Sequence, residues 1–294
     1  MSGVSEGATT PTRRRKRMDG WRWAGRIFLA LMLFYTAVPM IWMLLTSIKS
    51  GFAAMQLPPQ WWPEEPTLAS YQKLLDPQNS VGADFLRFFW NSLYVSTLTT
   101  ILGLVVAVPA AYAFSRFTFP GRNFLFFSVL LRNMFPAVIF LIPLFILMRW
   151  VGLVNTHGSL IITYLTFVLP LTVWTLRGFI VNLPRDLEEA AMVDGCTRTS
   201  AFLRVVFPLL APGMVATSVY AFIQAWNEYL YALMLMSQQH QTATVWLGNF
   251  TTKHGTEYAP MMAGATMMAV PMVVLFLLVQ RRMAAGLTAG AVKG

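Results

Sequence analysis

The chain has 294 residues, of which 56% are hydrophobic and only 12% are charged. A single soluble core cannot bury that much apolar surface, so the composition excludes a water-soluble globular enzyme as well as a disordered or coiled-coil chain. The single cysteine, Cys196, excludes an internal disulfide framework and a multi-cysteine zinc site. The net charge of +10 is typical of nucleic-acid-binding proteins, but the positions of the charges favour a different explanation.

Apolar stretches long enough to cross a bilayer recur along the chain. About 20 residues of helix cover the roughly 30 Å of hydrocarbon, and continuous apolar runs indicate helices rather than the strands of a barrel. The first stretch is too long for a signal peptide and is followed by Lys49 rather than by a cleavage site. We expect an all-α integral membrane protein with six transmembrane helices, at about 27–47, 90–113, 126–148, 159–177, 209–234 and 260–280.

Lysine and arginine collect on one side of the predicted membrane. With the N-terminus inside, 16 of the 22 Lys and Arg residues lie in inside segments, 5 lie outside, and Arg132 lies within a span. Because basic loops stay in the cytoplasm, both termini are predicted to be cytoplasmic. Topology and attraction to anionic lipid therefore explain the basic charge without nucleic acid. The run Arg13–Arg17 also fits a nucleic-acid-binding arm, but we favour a juxtamembrane retention signal.

The segments between the spans differ in character. Residues 1–25 form a basic cytoplasmic tail, 26–48 hold the first span, 49–87 form an extracytoplasmic loop, and 283–294 form a cytoplasmic C-terminal tail. The loop contains Trp61 and Trp62, which we interpret as interfacial anchors, with a sugar-stacking platform as the alternative. A short amphipathic helix near the membrane surface is predicted from the spacing of Leu68, Tyr71, Leu74 and Leu75.

Small residues and prolines mark places where the spans pack or bend. Gly103, Ala107 and Ala111 stand four residues apart in the second span, a ladder that lets another helix approach closely. Prolines inside spans are tolerated when neighbouring helices satisfy the freed carbonyls, as in a bundle that surrounds a path. They are Pro109, Pro136, Pro143, Pro170 and Pro271.

The segment 178–208 predicts two short helices joined by a turn. Pro184 suits a first helical turn, acidic residues follow it, and Gly195 can adopt the left-handed conformation that ends a helix. The second helix is expected to begin at Thr197 or Thr199 and to end before Pro208. The first helix has one flat face, formed by Leu187, Ala190, Ala191 and Asp194. This face either receives a neighbouring protein or belongs to an ordinary interhelical loop.

These residues resemble the "EAA" loop of the membrane-spanning subunits of binding-protein-dependent ABC importers. The resemblance rests on Glu189-Ala190-Ala191, Asp194-Gly195, Phe202, Pro208 and Pro212. It extends over about 26–294 through Asn91-Ser92-Leu93, Trp226-Asn227-Glu228, Gln280-Arg281 and the C-terminal 286–294. Together these segments resemble the carbohydrate-uptake branch, in particular maltose-permease G-type subunits.

The resemblance implies a type I ABC importer permease core at 88–282 that works by alternating access in the cell inner membrane. It implies contact between the coupling loop 178–208 and a cytoplasmic ATPase through Glu188, Glu189, Ala190, Ala191, Asp194, Gly195, Phe202 and Pro208. The implied partners are a second permease subunit, two ATPase subunits, and a solute-binding protein that touches the loop 237–258. The expected solute is a carbohydrate, with a polyol or a glycerophosphodiester as the alternative.

The chain shows no motif of its own for driving transport. None of its five lysines follows a glycine, so the phosphate-binding loop G-x-x-x-x-G-K-[ST] is absent. We therefore expect no catalytic residue and no cofactor here, with ATP and Mg²⁺ held by the partner ATPase. His157, His240 and His254 lack metal-ligand spacing, so no metal site is predicted.

Two ionisable residues lie at membrane depth, where function is the first hypothesis. Glu228, with Trp226 and Asn227, is a candidate for the translocation path, or else fixes its helix to a neighbour. Arg132 is expected to extend to the cytoplasmic headgroups, and depth along continuous helices predicts that it does not pair with Glu228. A self-sufficient channel or ion-coupled carrier using both residues is the alternative, although the chain lacks further intramembrane carboxylates and inverted repeats.

Overall fold

The structure is a computed structural model that describes residues 15–253 and 257–291, where every regular element is a helix. The predictions for 1–14, His254 and Lys293 lie outside these residues. The first helices are α1 (Arg15–Ser47), α2 (Ala69–Leu75) and α3 (Ser80–Arg116). Helix α1 thus begins inside the predicted tail 1–25, and α3 begins inside the predicted loop 49–87.

Helix α2 is the short helix predicted in that loop. Leu74 is fully buried, and the hydroxyl groups of Tyr71 and Ser47 lie 2.7 Å apart, which ties α2 to the end of α1. Helix α2 packs against α3, whose first turn is capped by the side chain of Asn79, accepting a hydrogen bond from the backbone of Val81. The segment therefore belongs to the packed bundle.

The predicted third span, 126–148, is not one helix. The chain forms α4 (Arg122–Leu131) and α5 (Leu141–Trp150), joined by two 3₁₀ turns, and the two halves of the span meet at a bend of 105°. The break lies at Phe135, which is extended, and Pro136. A residue before proline disfavours the helical conformation, and proline itself lacks an amide donor, so this pair interrupts the helix. The next helix, α6 (His157–Val181), is continuous and is capped by Thr156.

The segment between α6 and the predicted fifth span forms the two short helices expected. They are α7 (Asp186–Val193) and a second helical stretch that contains α8 (Arg198–Ala201), a π turn at Phe202–Val206 and α9 (Phe207–Leu209). Thr197 caps α8, as predicted. The prediction that this helix ends before Pro208 is wrong. In the π turn the backbone amide of Phe207 donates to the carbonyl of Phe202, five residues earlier, and the helix continues through Pro208 to Leu209.

The predicted fifth span, 209–234, is also interrupted. Helix α10 (Ala211–Trp226) meets the preceding stretch at a bend of 70°, and α11 (Leu230–Leu235) begins after a non-helical gap. Helices α12 (Ala243–Lys253) and α13 (Tyr258–Ala291) complete the order, so α13 runs on through most of the predicted C-terminal tail.

The bundle is organised around α3. It packs against α6 and α10, α10 packs in turn against α13, and α1 lies along α13 with its apolar side chains exposed. In the described residues, four helices are long and apolar enough to cross a membrane, and there are six spans if each of the two bent pairs counts as one. The prediction of a helical membrane protein is therefore confirmed, whereas two of the six predicted spans are interrupted in the described residues.

The small-residue ladder forms the contact between α3 and α6. Ala107 and Ala111 are fully buried, and a Cβ atom added at Gly103 would lie 3.5 Å from Val168 Cγ1 and 3.6 Å from Leu165 Cδ2. These are ordinary contact distances, so one methyl group fits and a larger side chain does not.

We predict that Gly103→Ala is tolerated, whereas Gly103→Phe lowers the midpoint of thermal unfolding in detergent and the yield of folded protein. Overpacking of a tight contact costs about 1–3 kcal/mol. Gly25→Phe is the matched control, because Gly25 faces open space on α1. Equal stability of the two Phe variants would contradict the close packing of α3 and α6.

Candidate functional site

Two features of the bundle contain buried or partly buried charged groups. The first is the anchor of α7, formed by Glu188, Arg116 and Tyr112. Glu188 is only 8% exposed; its Oε1 accepts a hydrogen bond from Arg116 Nε at 2.6 Å, and its Oε2 accepts one from Tyr112 Oη at 2.8 Å. Arg116 also donates to the carbonyl of Leu183 at 3.0 Å, so both charged groups are well satisfied. The anchor fixes α7 to the end of α3.

The end of α7 has the geometry of a Schellman motif. Gly195 has a φ of +89°, its amide donates to the carbonyl of Met192, and the amide of Cys196 donates to the carbonyl of Ala191. The left-handed conformation predicted for Gly195 is therefore present. It reverses the chain so that α8 can return towards α3.

The remaining residues of this loop divide between an outer and an inner face. Glu189, Ala190, Asp194 and Pro208 are exposed, Ala191 is half-buried, and Val193 is 88% exposed. Phe202 faces inward, where its ring centroid lies 4.5 Å from that of Tyr112. Helix α7 thus presents a small-residue outer face, while Glu188 and Phe202 contact α3.

The sequence did not identify Tyr112 and Arg116 as partners of the loop. Glu188 lies 72 residues beyond Arg116, and no local spacing links the two positions. A basic residue at the end of an apolar span is ordinarily a headgroup contact. Only the packing of α3 against the loop shows that this arginine is buried in an ion pair.

The second feature is a cavity of about 380 Å³ between the two interrupted spans, lined in part by Arg132, Phe167, Gln224, Glu228 and Tyr231. Both side chains line this one cavity, so the depth estimate that separated Arg132 from Glu228 is wrong, because neither span is a continuous helix. The prediction that the two residues do not pair is confirmed, since among the described residues they form no ion pair within 4 Å.

Glu228 occupies the gap between α10 and α11. Its Oε1 accepts from the amide of Tyr231 at 2.8 Å, and its Oε2 accepts from the amide of Ala232 at 3.0 Å and from Tyr164 Oη at 2.9 Å. The carboxylate thus satisfies backbone donors that the break exposes and ties α11 to α6. This arrangement matches the alternative in which Glu228 fixes its helix to a neighbour, while its side chain also lines the cavity.

Arg132 lies at the break of the third span and does not extend to the headgroups, so that expectation is corrected. Its guanidinium lies over the rings of Phe140 and Phe167, 5.1 and 5.4 Å from their centroids. The side chain turns into the cavity between the helices.

The neighbours of Glu228 in sequence do not share its position. Trp226 is 2% exposed and stacks on Phe222 with centroids 5.6 Å apart, inside the core between α3 and α10. Asn227 is exposed and donates to the carbonyl of Ile223 within its own helix end. Of the three candidate path residues, the structure places only Glu228 on the cavity.

Comparison with known proteins agrees with this architecture. The chain is 36% identical over 267 residues to the diacetylchitobiose uptake system permease protein of Streptomyces coelicolor, covering 90% of this chain and 95% of that protein. It is 38% identical over 267 residues to the trehalose transport system permease protein of Mycobacterium tuberculosis, with coverage of 90% and 95%.

A solved structure shares the fold. A chain from a bacterial ABC transporter involved in the import of the acidic polysaccharide alginate superposes with a TM-score of 0.75 at 22% identity, covering 93% of this chain and 99% of that one. Residues 99–287 match the family described as "Binding-protein-dependent transport system inner membrane component". Because this match covers most of the bundle and both features described above, the chain belongs to the family of inner membrane components of binding-protein-dependent transport systems.

Proposed function

We propose that the protein is the membrane-spanning permease subunit of an ATP-driven carbohydrate importer that works by alternating access. The observation that carries the proposal is the exposed face of α7, held by a buried ion pair to the helix around which the bundle is built. The sugars named for two similar permeases, diacetylchitobiose and trehalose, support a carbohydrate as the solute. A polyol or glycerophosphodiester is the alternative solute class.

The topology follows from counting the two halves of the third span as one span and the interrupted fifth span, 209–234, as another. Six spans then place both termini, and the loop 178–208, on the cytoplasmic side. The excess of lysine and arginine in the segments on that side supports this orientation. The cavity between the interrupted spans then lies within the membrane, where it is suited to a translocation path.

Energy reaches the spans through the loop 178–208. We place the exposed face of α7, with Glu189 and Ala190, in a groove on a cytoplasmic ATPase subunit that holds ATP and Mg²⁺. When the two ATPases close, α7 moves with them, and the Glu188–Arg116 contact transfers that displacement to α3. Helix α3 packs on α6 and α10, which border the cavity, so its displacement reorients the path.

The other partners complete the system. A second permease subunit covers the remaining side of the path, and an extracytoplasmic binding protein delivers the sugar to the opposite end, where the loop 237–258 lies. The description of the family as binding-protein-dependent supports the last assignment. This chain contributes no catalytic residue in the proposal, and ATP hydrolysis belongs to the ATPase subunits.

We predict that Gly195→Val abolishes import and lowers the recovery of ATPase subunits at least tenfold in a gentle-detergent pull-down, measured by quantitative mass spectrometry. A β-branched residue disfavours a φ of +89° and distorts the turn after α7. The matched control is Gly152→Val. Gly152 also has a positive φ and open space around its Cβ position, but it lies at the other end of the bundle, after α5.

The second permease subunit should be recovered equally with both variants, because neither change touches the spans. Normal import by Gly195→Val, with an intact complex, would contradict the assignment of the loop as the coupling element. Recovery of wild-type chain without an ATPase would favour the self-sufficient carrier instead.

We also predict that Glu188→Gln reduces the amount of sugar imported per ATP hydrolysed about fivefold or more in proteoliposomes. The change leaves the Arg116 guanidinium buried without its counter-charge, which typically costs about 3–5 kcal/mol. The double variant Glu188→Gln with Arg116→Gln should recover part of the loss, because no unpaired charge remains.

Asp186→Asn is the matched control for this measurement, since it removes an exposed carboxylate from the same helical turn. We expect it to retain near-normal coupling. If Asp186→Asn and Glu188→Gln lose coupling to the same degree, the acidic turn acts through its overall charge and the anchor to α3 is not the transmitting contact.

A further inference from the structure

The cavity contains hydrogen-bond donors that this chain does not satisfy. Arg132 Nη2 is buried and has no hydrogen-bond partner among the described residues, and Nη1 reaches only Asn133 Oδ1, at 3.4 Å. A distance of 3.4 Å is long for a hydrogen bond. A buried guanidinium N–H without an acceptor is unfavourable, so the acceptor is expected to come from outside this chain.

Glu228 is not that acceptor. Its two carboxylate oxygens already receive three hydrogen bonds, two from backbone amides of α11 and one from Tyr164. No ion pair between Glu228 and Arg132 is formed in the described part of the chain. The cavity therefore offers a guanidinium N–H group without an acceptor beside a carboxylate whose hydrogen bonds go to α11 and Tyr164.

The wall beside Arg132 is aromatic and rigid. The rings of Phe167 and Tyr231 stack with centroids 6.1 Å apart and an angle of 13° between their planes. The hydroxyl group of Tyr231 donates to the carbonyl of Ala137, which fixes the ring and connects it to the break in the third span. The guanidinium in turn lies over Phe167, so its donors have a defined direction.

Unsatisfied donors next to an aromatic wall suit a sugar ring. Sugar hydroxyl oxygens accept hydrogen bonds from a guanidinium fork, and the C–H faces of the ring pack on aromatic side chains. The cavity volume of about 380 Å³ lies in the range of small-molecule sites. A sugar without a charged substituent is sufficient, because the charges of Arg132 and Glu228 balance across the cavity.

We propose that this subunit holds its own solute-binding site within the membrane, in which Arg132 donates hydrogen bonds to the hydroxyl groups of one sugar ring that packs beside Phe167, while the buried Tyr231 supports the Phe167 ring from behind. The proposal rests on the proposed function and deepens it by naming the residues that bind the solute. Glu228 acts as a positioning residue, because it holds α11 and thereby Tyr231 at the cavity.

The test measures sugar binding by the complete transporter, containing both permeases and the ATPases, arrested with ATP and vanadate. The probe is [14C]trehalose or [14C]diacetylchitobiose, whichever the wild-type complex imports in proteoliposomes. We expect Arg132→Gln to weaken retention of the labelled sugar at least tenfold. Arg132→Lys should fall between, because lysine keeps the charge but loses the guanidinium fork.

Arg149→Gln is the matched control, since Arg149 is an exposed arginine at the far end of α5 and does not line the cavity. It should retain sugar as the wild type does. A second readout separates binding from assembly. The recovery of the second permease and of the ATPase subunits should stay within twofold of wild type in Arg132→Gln, and the ATPase activity stimulated by the sugar-loaded binding protein should stay within twofold of wild type in Arg149→Gln.

Three outcomes would overturn the proposal. Unchanged sugar affinity of Arg132→Gln would show that Arg132 does not bind the solute. Loss of the second permease with unchanged sugar affinity in the remaining complex would assign Arg132 to a contact between subunits. A wild-type complex that imports neither sugar nor any other saccharide would refute the proposed function itself, which distinguishes that failure from the first two.

Discussion

The carboxylate of Glu228 holds the bundle together at the point where a span is interrupted. Inside a membrane, each backbone amide freed by a break needs an acceptor, because no water is available to supply one. Glu228 accepts from the amides of Tyr231 and Ala232 and from the hydroxyl of Tyr164, so the break between α10 and α11 is satisfied and fixed to α6. The cavity exists because the chain is interrupted there and at Pro136, instead of being filled by two straight helices. The same interaction that permits the break therefore creates the space beside it.

The anchor of α7 lies at the C-terminal end of α3. A surface helix that receives force needs a rigid connection to the spans, and a buried ion pair with a further hydrogen bond supplies direction as well as strength. Glu188 faces inward to Arg116 and Tyr112, while Glu189, its neighbour in sequence, faces outward. One turn of helix thus separates a face attached to the bundle from an exposed face, which contacts the ATPase in the proposed function. The Schellman turn at Gly195 then directs the chain back to the bundle.

Helix α3 links the two features. Its ladder of small residues brings α6 close, and its other side packs against α10, so the three helices behave as one packed unit. Close packing transmits displacement without large internal rearrangement, since interiors have little free volume. The broken spans are the elements with freedom to rearrange, because the third span bends by 105° at its break and the fifth is bent by 70° where α10 begins. In the proposed cycle, the unbroken helices carry the movement and the broken ones change the shape of the path.

Composition and charge by themselves determined that the chain is a helical membrane protein, and local chemistry determined the loop. The left-handed Gly195, the cap at Thr197, the helix α2 and the ladder from Gly103 all depend on residues close together in sequence, and the structure contains each of them. The tertiary structure decided the rest. It showed that Pro136 breaks its span, that Glu188 is paired with an arginine 72 residues away, that Trp226 lies in the core, and that Arg132 and Glu228 share one cavity. Depth along an assumed straight helix could not give that last result, because the third span breaks at Phe135 and Pro136, and the fifth breaks where Glu228 accepts hydrogen bonds from α11 and from Tyr164 on α6.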